Sequence, residues 1–188
     1  MKKIILSFFI CILFISGCAT KDGSISMNNN KNNEVQQLKE RIKVLESELK
    51  EKNTYIKKIK KQEQLFPILS NKALTFVRGQ TQGDIEKLKE VISDNISIVV
   101  EEDIIYGIYE DYGEEIKYPL YDKSRKTKYR YKDMVIQGYG YLEDDTYGIH
   151  IQKFFVNEND KSISPTFLDL YFTEIDGKWK VDKFEFDI

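Results

Sequence analysis

The spacing of apolar residues changes once along this 188-residue chain, and that change most constrains its fold. Between Val35 and Ile92, apolar side chains recur every three or four residues, as on one face of a helix. From Ile96 onward they alternate with polar side chains, as on a strand with one buried face. Helices followed by a block of strands predict an α+β fold in which helices pack on an antiparallel sheet.

The first helical segment, residues 34–64, carries an apolar stripe with heptad spacing. Branched residues at position a with Leu at position d favour two parallel strands, although Lys52 interrupts the stripe. Glu34 would meet Lys39 of a parallel partner, and Arg41 would meet Glu46. A single helix lying on its own domain, or pairing with another protein, would show the same pattern. The predicted homodimer contacts are Val35, Leu38, Ile42, Leu45 and Leu49.

Pro67 indicates the start of a second domain, residues 65–188, because proline is unfavourable inside a helix and suits a first turn. A helix is predicted from there to Arg78-Gly79. Asp84 follows Gly83 and can cap a second helix.

Two local signals organise the strands that follow. Asp176-Gly177 between apolar runs predicts a tight hairpin. Apolar parity changes between Val181 and Phe184, which requires a bulge near Asp182-Lys183. The polar segment 110–128 predicts a long excursion or a ragged hairpin.

The chain begins with a basic Met1-Lys2-Lys3 and an apolar run over residues 4–15, too short to span a bilayer. Length and charge match a secretory signal peptide, residues 1–17. Its end, Ile15-Ser16-Gly17-Cys18, resembles the bacterial lipobox, which implies lipidation of Cys18. The alternatives are an ordinary signal peptide with a chance cysteine, or an uncleaved anchor.

Residues 18–33 are rich in Asn, Ser, Lys and Gly and show no apolar periodicity. Such a segment buries too little surface to offset the entropy of ordering it. We interpret it as a disordered tether.

Two helices, an antiparallel meander and the ending Phe172-Thr173-Glu174-Ile175-Asp176-Gly177-Lys178-Trp179-Lys180-Val181 resemble the nuclear transport factor 2-like (cystatin-like) superfamily. Small lipoproteins of low-GC Gram-positive bacteria often carry such a domain. The resemblance implies a cone-shaped domain of two helices on a curved sheet. The superfamily includes enzymes, binding modules and scaffolds, so it implies no single activity.

Residues with catalytic potential are few in the predicted domain. His150 alternates with Ile149 and Ile151, which predicts a surface position, and Asp169 is predicted beside a cross-strand Lys or Arg. Spacing places no partner to complete an acid–base pair. Metal-ligand spacing and phosphate loops are absent from the sequence, so we expect no catalytic residues, metal or cofactor.

Tyrosine is in excess, with eleven of twelve in residues 65–188. Sheet packing explains tyrosine in strands, but an aromatic face could also bind a protein or glycan. The candidate partner-binding residues are Tyr129, Tyr131, Tyr139, Tyr141 and Tyr171.

The net charge is −2, and it becomes −4 once Lys2 and Lys3 are removed with the leader. A strongly basic, nucleic-acid-binding surface is therefore not expected. The sequence predicts a lipid-anchored protein on the extracytoplasmic face of the cell membrane, non-enzymatic, whose domain binds an envelope protein or ligand. The alternatives are a small-molecule-binding or enzymatic domain with an internal cavity, and a purely structural spacer or assembly component.

Overall fold

A computed structural model describes residues 26–126, 128–142 and 145–187. The predicted signal peptide, Cys18 and the first part of the tether lie outside the described residues. The fold is α+β, with a long N-terminal helix followed by two antiparallel sheets. The fold class and the long helix are confirmed.

Helix α1 spans Ser26–Gln82 and is longer than predicted at both ends. It begins at Ser26 rather than Glu34, so the prediction of a tether reaching residue 33 was wrong for its last residues. Extending an existing helix costs far less than starting one, which lets weak helix formers join it. The chain comprises two compact units, and the boundary between them falls within this helix, between Asn53 and Thr54.

Pro67 lies inside α1, so the predicted helix boundary at that residue was wrong. A proline in a helix interior costs about 3 kcal/mol. Burial on its C-terminal side offsets that cost, because Leu69 and Phe76 are fully buried. The residue Gly79 does not end the helix either. Its missing side chain permits close packing, since a Cβ there would lie 2.9 Å from Cγ of Leu88.

Helix α2, Ile85–Val91, is short and capped as predicted. The Asp84 carboxylate accepts a hydrogen bond from the backbone N–H of Lys87 at 3.1 Å, which satisfies a donor that the first turn leaves free. Leu88 and Val91 are buried, so this helix contributes to the core.

The first sheet has the order β1-β2-β3, with strands Ser97–Glu101, Ile104–Asp111 and Glu114–Asp122. Strand β3 and the four-residue helix α3, Lys123–Lys126, occupy most of the polar segment predicted as an excursion or hairpin. The strands form two separate sheets, whereas the sequence predicted one continuous meander.

The second sheet is an antiparallel meander of four strands in sequence order. They are β4 Tyr129–Tyr141, β5 Tyr147–Asn157, β6 Thr166–Ile175 and β7 Lys178–Asp187. Asp176-Gly177 forms the predicted hairpin, with both residues at positive φ. The predicted bulge is confirmed as well. Tyr171 pairs with Lys183 and Phe172 with Val181, which leaves Asp182 as the extra residue.

One apolar core combines helices α1 and α2 with strands of both sheets. Phe184 on β7 lies at its centre, with its ring 5.5 Å from that of Phe76 and 5.2 Å from that of Tyr109. Gly107 on β2 makes room for it, because a Cβ there would lie 2.6 Å from the Phe184 ring. Because the bulge adds one residue between them, Val181 and Phe184 both face the core, and both are fully buried.

Candidate functional site

The five tyrosines predicted as a partner-binding surface do not share one face. Tyr131 and Tyr141 pack against the core, and Tyr139 stacks on Phe66 of α1 with ring centres 3.9 Å apart. Tyr129 is exposed at the start of β4. Tyr171 lies on the other face of the second sheet, between buried Leu170 and Phe172. Packing against the strands and helix α1 therefore accounts for Tyr131, Tyr139 and Tyr141, but not for the exposed Tyr129.

The second sheet has an outer face, defined by the half-buried residues that alternate with its core residues. His150 on β5 and Asp169 on β6 are direct cross-strand partners on this face. Nδ1 of His150 lies 2.7 Å from Oδ1 of Asp169. The imidazole also stacks on Phe167, with ring centres 5.5 Å apart and planes 8° apart. A carboxylate and an aromatic ring therefore hold the imidazole in place.

This pair corrects two predictions. Asp169 was expected beside a Lys or Arg, and no partner was expected to complete an acid–base pair with His150. The sequence shows that both residues alternate with apolar residues and therefore face outward. It does not show how β5 is aligned with β6. That register sets His150 directly opposite Asp169.

A groove of ≈ 420 Å³ lies beside the His150–Asp169 pair. Three glycines line it, Gly138, Gly140 and Gly148, together with Leu142 and Tyr171. A Cβ at Gly138 would meet nothing within 4 Å, so that glycine keeps space open. The groove is in the size range of small-molecule sites, about 300–1,000 Å³.

A chain of polar contacts borders the groove. The hydroxyl of Tyr171 donates to Oε2 of Glu185 at 2.8 Å. Nζ of Lys183 lies 2.9 Å from Oε1 of Glu185 and 2.7 Å from Oδ2 of Asp111. Burial opposes the charged ammonium, but hydrogen bonds to Asp111 and Glu185 raise the pKa of Lys183 above its ordinary value. The hydrogen bond from Lys183 lowers the pKa of Glu185. The two carboxylates are therefore already matched by donors of the protein.

Lys153 is an ionisable group in the interior that the sequence prediction overlooked. It continues the buried series of Ile149 and Ile151 on β5, and only 3% of its surface is exposed. Nζ donates to Oε1 of Gln80 at 3.0 Å and lies 4.8 Å from the centre of the Phe186 ring. Burial lowers the pKa of Lys153 from 10.5 to about 7. Strand parity alone could have found it.

Three basic residues of the segment 123–132 have acidic partners. Lys123 lies 3.3 Å from Asp103, Arg125 lies 3.7 Å from Asp122, and Arg130 pairs with Asp160. These three cations are therefore already matched by carboxylates of the protein.

Metal-ligand clusters and membrane-spanning helices are absent within residues 26–126, 128–142 and 145–187. No three metal-ligating side chains converge there on one point. In the same part of the chain, no helix is both long enough and apolar enough to cross a membrane.

Comparison with known proteins adds no assignment. No protein-family model matches the sequence, and neither the curated proteins nor the solved structures show significant similarity to it.

Proposed function

We propose that this chain is a membrane-anchored lipoprotein of the cell envelope, non-enzymatic, whose α+β domain binds a protein or another envelope partner. The observation that carries the proposal is Ile15-Ser16-Gly17-Cys18 at the end of a basic and apolar leader. Lipidation at Cys18 agrees with three features of the leader, namely its length, its charge and the small residues before the cysteine. Several acyl chains give stable membrane attachment, because each buried methylene contributes about 0.8 kcal/mol.

The finer fold proposal is a cone-shaped domain of the nuclear transport factor 2-like kind. Two helices followed by antiparallel strands, with the Asp176-Gly177 turn before the buried Trp179, support it.

The proposal includes a parallel dimer through α1. The stripe residues of α1 are exposed in the single chain: Val35, Leu38, Ile42, Leu45 and Leu49. Exposed apolar side chains at regular heptad spacing favour a second helix as cover. Glu34–Lys39 and Arg41–Glu46 pairs would have the attractive sign between parallel copies. Parallel pairing also suits two chains anchored at their N-termini.

Replacing Cys18 by alanine tests the anchor. Without the thiol no thioether to a lipid can form, and we expect the protein to leave the membrane fraction. The measurement is fractionation of cells followed by immunodetection, with Cys11→Ala as the matched control because Cys11 lies inside the predicted leader. Unchanged membrane association of Cys18→Ala would contradict lipidation.

A second candidate function is a domain that binds or converts a small molecule in its interior. The observation that favours it is Lys153, an amine held in the core with Gln80 as its hydrogen-bond partner. A lysine with a pKa near neutrality is a suitable nucleophile or base. Binding of a small carbonyl compound that Lys153→Met abolishes, in a folded variant, would support this candidate over the first.

A further inference from the structure

The groove on the outer face of the second sheet has the features of a built site. Its imidazole is fixed by Asp169 on one edge and by Phe167 on its face. The second ring nitrogen, Nε2 of His150, has no hydrogen-bond partner among the residues that the structure describes. A ring nitrogen that is held in position beside a groove and has no partner in the protein is typical of a binding site.

The hydrogen-bonding capacity of the groove defines its ligand. With the Asp169 carboxylate accepting from Nδ1–H, the imidazole in its neutral form would present a lone pair at Nε2. The second oxygen of Asp169 and the hydroxyl oxygen of Tyr171, which donates its proton to Glu185, can accept as well. The site therefore offers acceptors and needs a ligand rich in O–H or N–H donors.

Charge disfavours an anionic ligand. Glu185 and Asp111 are bridged by Lys183, and Asp169 is bonded to the imidazole. Three carboxylates against one ammonium leave a net negative charge, and the neutral O–H or N–H donors of a ligand can pair with the acceptors that remain free. Glycines at the groove wall let a ligand ring approach the backbone, with Leu142 as an apolar neighbour.

We propose that this groove binds a neutral saccharide unit, with His150 and Asp169 accepting hydrogen bonds from its hydroxyl or amide groups. The saccharide would be the envelope partner proposed above. Only its location at the cell envelope depends on that proposed function. Binding can be measured in detergent without a membrane, whereas the Cys18→Ala test does not depend on the groove. Failure of one is thus distinguishable from failure of the other.

The test uses the full chain in detergent, labelled with ¹⁵N. The chain has one histidine, so every imidazole resonance belongs to His150. Before any addition, and at a pH where the imidazole is neutral, the nitrogen shifts should show the proton on Nδ1 and a lone pair on Nε2. Chitotetraose, a neutral oligosaccharide, should then shift these resonances saturably with a Kd of about 1 mM or tighter.

Gly138→Val fills the groove at a position where a Cβ meets no neighbour, and it should weaken chitotetraose binding at least about tenfold. Val100→Thr is the matched control, an exposed strand residue of the other sheet that should bind as the native chain does. Asp169→Asn is the second variant and should weaken binding and change the tautomer. Circular dichroism checks that each variant is folded.

Three results would overturn the proposal. They are the absence of a saturable shift with chitotetraose, a shift with the polyamine spermidine alone, and undiminished binding by folded Gly138→Val and Asp169→Asn.

Discussion

Lys153→Met is expected to raise the free energy of unfolding by about 1–3 kcal/mol at pH 7. Holding an amine in the core lowers its pKa from 10.5 to about 7, a shift equivalent to about 4 kcal/mol of lost stability at neutral pH. Methionine has a similar length and carries no charge. The gain is reduced by about 1–3 kcal/mol because Gln80 loses its hydrogen-bond donor.

The pH dependence of stability gives a second readout of the same residue. Between pH 7 and 9 the unfolded chain keeps a proton on Lys153 while the folded chain has largely released it. Since the unfolded state binds more protons, stability rises with pH in this window, by about 2 kcal/mol. Lys153→Met should remove most of that rise. Burial lowers the pKa of Lys72 in the same direction, so a smaller slope should remain.

Urea denaturation at pH 7 and pH 9 and constant ionic strength measures both effects. The upper limit of pH 9 lies below about pH 10, where tyrosines of the unfolded chain release protons. Burial raises the pKa of Tyr109 and Tyr147 to about 12 in the fold, so stability would fall with pH above that limit. Lys178→Met is the control, an exposed lysine of the same sheet that should leave the native slope unchanged. A native chain whose stability is flat between pH 7 and 9 would show that Lys153 remains charged in the fold.

Leu45→Lys is expected to convert the proposed dimer to a monomer. Leu45 occupies a d position and is 53% exposed in the single chain, so only a partner helix would bury it. Two lysines at facing d positions would place two like charges in an apolar contact. We expect the dimer Kd to rise at least about a hundredfold, since each tenfold change corresponds to about 1.4 kcal/mol.

Light scattering on the chain beginning at Asn33 measures the mass before and after the substitution. Ser47→Lys is the matched control, because it adds the same charge at an outward f position of the same helix. The dimer should persist in that variant. A native chain that is monomeric at high concentration, or a Leu45→Lys variant that still dimerises, would end the proposal of a dimer through α1.

Local signals in the sequence predicted local structure well. The Asp84 cap, the Asp176-Gly177 hairpin and the bulge at Asp182 each depend on a few adjacent residues, and all three are present. The continuity of α1 through Pro67 was not predictable in this way. It depends on burial of Leu69 and Phe76 against strands that follow much later in the chain.

The candidate site depended on strand register, which is not a local property. Parity placed His150 and Asp169 on outward faces, but only the pairing of β5 with β6 brings their side chains within 2.7 Å. The tyrosine prediction failed to yield one surface for a related reason. Tyr139 and Tyr141 pair with Ile149 and Tyr147 of the core-facing series of β5, whereas Tyr171 on β6 pairs with Gly148 on the other face.

Membrane attachment through Cys18 can be measured by mass spectrometry of the protein isolated from native membranes. We expect an N-terminus at Cys18 that carries a thioether-linked diacylglyceryl group, with residues 1–17 removed. A chain that retains Met1 and an unmodified Cys18 would show that it is not lipidated there.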